Sequence, residues 1–257
     1  SKSLSDFIGR ETLNISKLLI PTEIPGLSLI SGAKDGVEIA NLKYTQKRRF
    51  LSALRNLDAD YIVIDLGAGT SYNTVDFFLL ADSQLMVVIP EPTSIENAYR
   101  FIKNSFFRQI FHNSKNFGLK SVLTPILRKD NPYKVNTPKE LIDYLNKLGG
   151  SSTVFIEEQL QIFLPKIILN QVRTERDQQV GPAMKAACSK YFNLNMSFLG
   201  YISEDESVWK SVLDRKPLAV AYPDGVPMQQ LKSICSDILL EETELAAKNN
   251  LLSQLAL

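Results

Sequence analysis

YIVIDLGAGTSYNTVDFFLLADSQLMVVIPEPTSIENAYRFIK, residues 61–103, decides the fold class. Tyr61-Ile62-Val63-Ile64-Asp65 is an apolar run ending in a carboxylate, the pattern of a parallel strand buried on both faces. Residues 71–80 carry helical spacing, and residues 84–89 form a second run of the buried-strand kind. Pro90-Glu91-Pro92 breaks the chain, and a helix starts near Ser94 with Glu96 in its first turn, where the helix dipole favours negative charge. Strand, turn, helix, strand, turn, helix implies right-handed crossovers and a parallel sheet covered on both faces.

The pattern extends in both directions. Upstream, residues 4–19 read as loop and short helix, Pro21 and Pro25 as breakers, and residues 27–30 as a short strand stopping at Gly32. Residues 41–57 are helical, with Phe50, Leu51, Leu54 and Leu57 at three- and four-residue spacing and a basic outer face at Lys47, Arg48 and Arg49. Downstream, residues 166–170 are a strand ending in Asn170, residues 181–191 a helix, residues 196–201 a strand, and helices complete the chain. Residues 104–164 break the rhythm with helical segments and loops at Pro125, Asn131-Pro132, Pro138 and Gly149-Gly150. The expected fold is therefore α/β, a doubly wound and largely parallel sheet with helices on both faces. It is a single domain over residues 1–257, with a helical insertion at about 104–164 packed on one sheet edge.

Composition narrows the function classes. The chain has 257 residues, 44% hydrophobic and 22% charged, with net charge +1. That size supports one continuous core, and the balance of charge supplies no global field toward nucleic acid or anionic lipid. Cys188, Cys235 and the single His112 stand in no metal-ligand spacing. The two cysteines read as buried thiols in a reducing cytoplasm. No apolar run approaches the roughly 20 residues of a membrane span, and Ser1–Phe7 contains no signal-peptide core. The missing initiator Met suggests processing or truncation.

In open parallel sheets, chemistry collects beyond the carboxyl ends of the strands. Three such ends carry informative residues. Asp65-Leu66-Gly67-Ala68-Gly69-Thr70 has two readings: a carboxylate holding a Mg²⁺-bound water near a γ-phosphate, with glycines admitting the phosphate to the backbone, or a capped strand–helix turn. Pro90-Glu91-Pro92-Thr93-Ser94 reads mainly as a rigid turn whose hydroxyls cap the next helix. Asn170, with Arg173 beyond it, is either a turn residue or a planar donor and acceptor for a purine edge.

Taken together, these stretches resemble the MinD/ParA/FlhG group of switch ATPases. The resemblance rests on the aspartate-ended strand before Gly67-Ala68-Gly69, Ala81-Asp82 before the next strand, and Pro-Glu-Pro-Thr-Ser before a helix. Ile167-Ile168-Leu169-Asn170 and Ile202-Ser203-Glu204-Asp205-Glu206 continue it. It covers about residues 4–103 and 166–240. It implies ATP and Mg²⁺ as cofactors, with Asp65 as the carboxylate acting on Mg²⁺ through water and Gly67 and Gly69 in the γ-phosphate sensor. Asn170 would read the adenine edge, helped by Arg173 and the Ser203-Glu204-Asp205 turn. It also implies an ATP-dependent homodimer and a role in positioning or assembling a cellular structure. A partner-binding module that keeps the fold without catalysis is the competing expectation.

One departure is large. The group opens with a glycine-rich loop ending in Gly-Lys-Ser/Thr, and no such tripeptide occurs in these 257 residues. Gly32-Ala33-Lys34-Asp35-Gly36 has neither the spacing nor the helix-start hydroxyl. Either the sequence starts after that loop or the protein has discarded it; an N-terminally incomplete domain is the expectation here.

Three further features have competing readings. Lys47, Arg48, Arg49 and Arg55 could form a DNA stripe, but four charges on a near-neutral chain read as a solvated face. The aromatic helix holding Tyr99, Phe101, Phe106, Phe107, Ile110 and Phe111 reads as core against the insertion, with a partner surface as the alternative. Leu239, Leu240, Leu245, Leu251, Leu252 and Leu255 form a C-terminal stripe. The resemblance implies a membrane-binding helix there, yet Glu241, Glu242 and Glu244 face only Lys248 where basic flanks are needed, which favours docking on the domain. Residues 104–164 are the expected seat of protein-partner specificity.

Overall fold

The computed structural model describes residues 4–8, 14–32, 44–128 and 130–255. They divide into two compact units, residues 1–74 and 75–257. Residues 33–36 and 41–43, and the side chains of Arg48, Leu245, Leu251, Leu252 and Leu255, lie outside what is described.

The first unit holds helix α1 (Leu4–Ile8), a 3₁₀ turn (Ile15–Leu18), the strands β1 (Ile20–Pro21) and β2 (Ser28–Leu29), and helix α2 (Tyr44–Arg55). β1 and β2 pair antiparallel, Ile20 with Leu29 and Pro21 with Ser28. Phe7, Ile8, Ile15, Leu18, Phe50 and Leu54 form its core. Phe7 and Phe50 meet edge to face at 6.4 Å. Arg49 is turned inward, against the basic-face reading of α2: its guanidinium donates to the Phe7 and Ile8 carbonyls and stacks 4.8 Å over the Phe7 ring. A single arginine thus ties α1 to α2 by spending its charge on two helix-end carbonyls.

Residues 61–67 depart from expectation. They form no strand, and Tyr61, Ile62 and Val63 are 69%, 42% and 92% exposed. Periodicity records which side chains favour burial, but a strand exists only where a neighbour supplies the other half of its hydrogen bonds. Among the described residues, none does so here.

Helix α3 (Tyr72–Leu80) starts where the sequence places it; the Ser71 hydroxyl accepts the Thr74 N–H at 3.2 Å. The second unit continues with β3 (Leu85–Val88) and α4 (Pro92–Asn113), a 3₁₀ turn (Ser114–Phe117), and α5 (Lys120–Leu123). Next come α6 (Pro138–Leu148), α7 (Ser151–Ile162), β4 (Lys166–Val172), α8 (Glu175–Gln178) and α9 (Val180–Ala187). After a π turn (Cys188–Phe192) follow β5 (Ser197–Ser203), α10 (Glu206–Leu213), α11 (Leu218–Ala221) and α12 (Val226–Leu255). The sheet order is β3-β4-β5, all parallel, flanked by helices as an α/β fold requires. Ile167, Ile168 and Leu169 of central β4 are buried in succession, which is the signature of a strand covered on both faces. α9 lies so close to β5 that a Cβ at Gly181 would stand 2.3 Å from the Phe198 ring.

α4 begins at Pro92, two residues before the expected Ser94, because proline supplies the first-turn φ and needs no N–H there. The Ser94 hydroxyl does not cap α4; it accepts the Ile89 N–H at 3.2 Å and pins the end of β3 instead. α4 runs unbroken to Asn113, so the helical excursion starts some ten residues later than position 104. The excursion is fused to the core. Phe106 meets Phe163 at 5.3 Å, Phe117 meets Phe155 at 4.9 Å, and Gln109 and Asn113 donate to the buried Gln159. The α4 aromatics therefore pack mostly inward, Phe101 on Phe78 at 4.9 Å and Tyr99 on Phe192 at 5.9 Å. Of the cysteines, Cys188 is buried, and burial pushes its thiol up to about 11; Cys235 is exposed on α12, contrary to the paired expectation. Among the described residues no helix is long and apolar enough to cross a membrane. α12 is tied to the sheet by Lys166, whose buried ammonium pairs with Glu241 at 2.9 Å.

Candidate functional site at the carboxyl ends of β4 and β5

Because β3, β4 and β5 are parallel, their carboxyl ends share one rim. β4 is interrupted beyond Leu169: Gln171 takes φ +58°, and the Asn170 Oδ1 accepts the Gln171 N–H at 3.0 Å, which stabilises that left-handed step. Among the described residues, the Asn170 amide NH₂ and its remaining lone pair have no partner. Pairing resumes at Val172 with Ser203, and Val172 O accepts the Glu204 N–H at 3.0 Å. That alignment puts Arg173 beside Glu204. The guanidinium donates through Nη2 to Oε1 at 3.0 Å and through Nε to Oε2, a bidentate pair. The Glu204 hydrogen bond, more than any other neighbour, raises the Arg173 pKa further, and the Glu91 carboxylate after β3 adds to it.

The supports of this rim are short-range. Thr174 and Asp177 form a reciprocal capping box on α8, and the Asp177 carboxylate accepts the N–H groups of Arg173 and Thr174 at 3.0 and 2.9 Å. Those bonds, the Arg173 N–H foremost, hold the Asp177 carboxyl below its ordinary range. Asp205 caps α10 through the Ser207 N–H at 2.8 Å and is lowered first by the Ser207 hydroxyl. Gln230 of α12 clamps Ser203, accepting its N–H at 2.8 Å and donating to its hydroxyl at 2.9 Å. Asn170, Arg173, Ser203, Glu204 and Asp205 are thus one neighbourhood. The Thr174-x-x-Asp177 signature was readable as a capping box. Gln230, 27 residues downstream on a helix, has no local signal that would assign it to this rim.

Asp65, Gly67 and Gly69 lie in the first unit on the exposed segment described above. Nothing approaches within 4 Å of a Cβ built at Gly67 or Gly69, so no cradle is shaped around them by these residues. The chain therefore fits only half of a magnesium nucleotide: polar groups for a base edge are present, while the phosphate-binding Gly-Lys-Ser/Thr loop is not in the sequence. No step of phosphate chemistry follows from the residues at hand. A cavity of about 260 Å³ lies at the other end of β4 and β5, lined by Leu164, Lys185, Ser189, Asn195, Met196 and Ser197. It is remote from the strand ends where ligands of such sheets collect.

Removing the Asp177 carboxylate tests the scaffold of the rim. Its folded-state pKa is depressed, so its stabilisation is present above the unfolded value of about 3.9 and is lost as pH falls through the folded value. Asp177→Ala is expected to melt below the parent at neutral pH, with the gap narrowing once the pH falls under about 4. A gap unchanged between neutral and acid pH would show that the carboxylate charge is not what holds the turn.

Part of the sequence is similar to known proteins. The chain is 38% identical over 84 residues to the flagellum site-determining protein YlxH of Helicobacter pylori. It is 32% identical over 103 residues to the antiactivator FleN of Pseudomonas aeruginosa. These matches cover 31% and 40% of this chain, and 28% and 36% of the two proteins. The chain spans about a third of the length of the curated relatives it matches. No family model matches it.

Proposed function

We propose that this chain is the switch and base-reading part of an ATP-dependent molecular switch of the MinD/ParA/FlhG type, governing placement or assembly of a cellular structure such as the flagellum. The observation that carries this reading is the convergence of Asn170 and the Arg173–Glu204 pair, with Ser203 and Asp205, at one rim of a parallel sheet. The partial similarity to a flagellum site-determining protein and an antiactivator supports it. In this reading Asn170 reads the adenine edge while Arg173, Ser203, Glu204 and Asp205 shape the wall beside it. Asp65 acts on Mg²⁺ through water, and Gly67 and Gly69 sense the γ-phosphate. Residues 1–257 hold no Gly-Lys-Ser/Thr, so this reading requires a phosphate-binding loop that these residues do not supply. ATP then favours a closed homodimer, hydrolysis an open one, and the two states differ in affinity for a partner in the cytoplasm. Residues 1–257 act as one nucleotide-binding domain, and the insertion offers the partner its exposed Leu148, Val154 and Ile162.

A second reading, a regulatory module that binds partners without catalysis, is favoured by the missing Gly-Lys-Ser/Thr and by the exposed Tyr61, Ile62 and Val63 before Asp65. Asn170→Ala in the protein expressed from its complete gene separates the two. Losing a two-point base contact, worth roughly 1–3 kcal/mol, should weaken ATP by about fivefold to a hundredfold and leave GTP unchanged. An ATP affinity indifferent to Asn170→Ala would reject the nucleotide reading.

A further inference from the structure

The net charge of +1 hides a segregation. Residues 101–150 hold nine lysines and arginines against three carboxylates, net +6, while the other 207 residues hold 20 against 25, net −5. A local excess of one sign on a near-neutral chain marks a surface that meets the opposite sign. The excess is not neutralised within the fold. Lys115, Lys120, Arg128, Lys134, Lys139 and Lys147 are all exposed, and among the described residues none of them forms an ion pair. Of the three carboxylates, Glu140 is committed to the backbone, accepting the Asn136 and Thr137 N–H groups at 2.7 and 3.0 Å. The Asn136 bond, ahead of the others, holds its carboxyl below the ordinary range, and the Lys103 ammonium of α4 adds to it.

Part of this charge is gathered on a fixed surface. The Asn131 N–H donates to the Arg128 carbonyl and the Lys134 N–H to the Asn131 carbonyl, both at 3.1 Å, which makes two successive turns. The Asn131 amide closes them by donating to the Val135 carbonyl at 2.9 Å. Tyr133 packs on Tyr144 of α6, with 5.4 Å between ring centres. Lys147 and Leu148 follow Tyr144 by three and four residues, so they share its helix face. Arg128, Lys134 and Lys147 are thereby brought around Leu127, Tyr133 and Leu148, which are 41%, 50% and 48% exposed.

Cations set among aliphatic side chains discriminate between polyanions. Single-stranded nucleic acid stacks its bases on aromatic platforms. Here two of the three exposed apolar groups are leucines, and Asp130 and Asp143 stand exposed among the cations, where they repel a phosphate chain. The basic surface is also bounded, since α7, packed on α6, exposes Glu157 and Glu158; a bounded patch suits a peptide better than a lipid plane. We propose that Arg128, Lys134 and Lys147, with Leu127, Tyr133 and Leu148, form a docking surface for an acidic amphipathic segment of a partner protein. The segment's carboxylates pair with the cations while its apolar side covers the leucines and Tyr133. This gives a chemistry to the partner role proposed for the insertion, and rests on it, but no residue of the base-reading rim takes part.

The probe is a fluorescein-labelled helical peptide of glutamates and leucines, apolar on one face. It is titrated with the 257-residue chain, without nucleotide, and followed by anisotropy at low and at physiological salt. It should bind saturably and more weakly as salt rises, and the same peptide with glutamine for every glutamate should not bind. Lys134→Glu combined with Lys147→Glu should weaken binding by about tenfold or more, and Leu148→Ser by about fivefold. All three positions are exposed, so the variants should melt with the parent. A peptide that fails to bind, or that binds the doubly reversed chain as tightly as the parent, overturns the proposal. So does tighter binding of an oligodeoxythymidine or of phosphatidylserine vesicles, which would assign the cations to phosphate. Because nucleotide is left out, failure here sinks the peptide surface alone; failure of the base reading shows instead in the ATP affinity of Asn170→Ala.

Discussion

Mg-ATP titrated calorimetrically into the 257-residue chain is expected to give no saturable heat in the micromolar range. A glycine-rich loop ending in Gly-Lys-Ser/Thr would supply several charge-assisted hydrogen bonds to the phosphates, each worth about 1.5–3 kcal/mol. Losing three of them weakens binding by more than about a thousandfold at about 1.4 kcal/mol per decade. Gly67 and Gly69, which the family resemblance assigns to phosphate sensing, have nothing within 4 Å of a Cβ built on either. Micromolar affinity for Mg-ATP would mean that another part of this chain grips phosphate, and the assignment of Asp65, Gly67 and Gly69 would have to be abandoned.

Deleting residues 116–150 is expected to unfold the second unit rather than excise a recognition module. The deletion removes Leu119, Leu123, Ile126, Leu141, Ile142 and Leu145, all buried, and uncovers Phe155 and Ile156, which have no exposed surface. Truncating one such aliphatic residue to alanine costs about 2–5 kcal/mol, so losing six, about 12–30 kcal/mol, matches or exceeds the roughly 5–15 kcal/mol that holds a domain together. Circular dichroism should show the near-ultraviolet signal lost and no cooperative melt. A deletion protein that melts cooperatively near the parent temperature would contradict this packing. The partner role proposed for residues 104–164 therefore needs substitutions at exposed Val154 and Ile162, which leave that core alone.

The parts of the fold that follow from sequence are those whose pattern and partner lie in the same stretch of chain. β3, β4 and β5 were each marked by apolar runs, and all three found parallel neighbours. Residues 61–65 carry the same mark and stay unpaired, because periodicity encodes a wish for burial and not the existence of the strand that grants it. The start of α4 was misplaced by two residues because a hydroxyl at Ser94 looked like a cap, whereas Pro92 needs none. Near the rim, Asn170 and Arg173 follow from the rule that chemistry collects at strand ends, while the Ser203-Glu204-Asp205 turn is singled out only by the family resemblance. The Arg173–Glu204 bond follows from neither, since it depends on the register of β4 against β5 past an irregularity at Gln171. Cys235 and Arg49 show the remaining limit: composition assigns an average environment, and the tertiary fold turned one outward and the other inward.

In the function proposed above, Asn170, Arg173 and the Ser203-Glu204-Asp205 turn read an adenine base. Amide chemical shifts of the 257-residue chain, recorded by NMR against millimolar adenosine, AMP and ATP, test it most directly. The three ligands should shift the same amides around residues 170–174 and 203–205 to similar extents, since the base is read and the phosphates are not held; Mg²⁺ should change little, and Asn170→Ala should erase the shifts. Shifts confined to other residues, no shifts at all, or an ATP response that Asn170→Ala leaves intact would contradict the account.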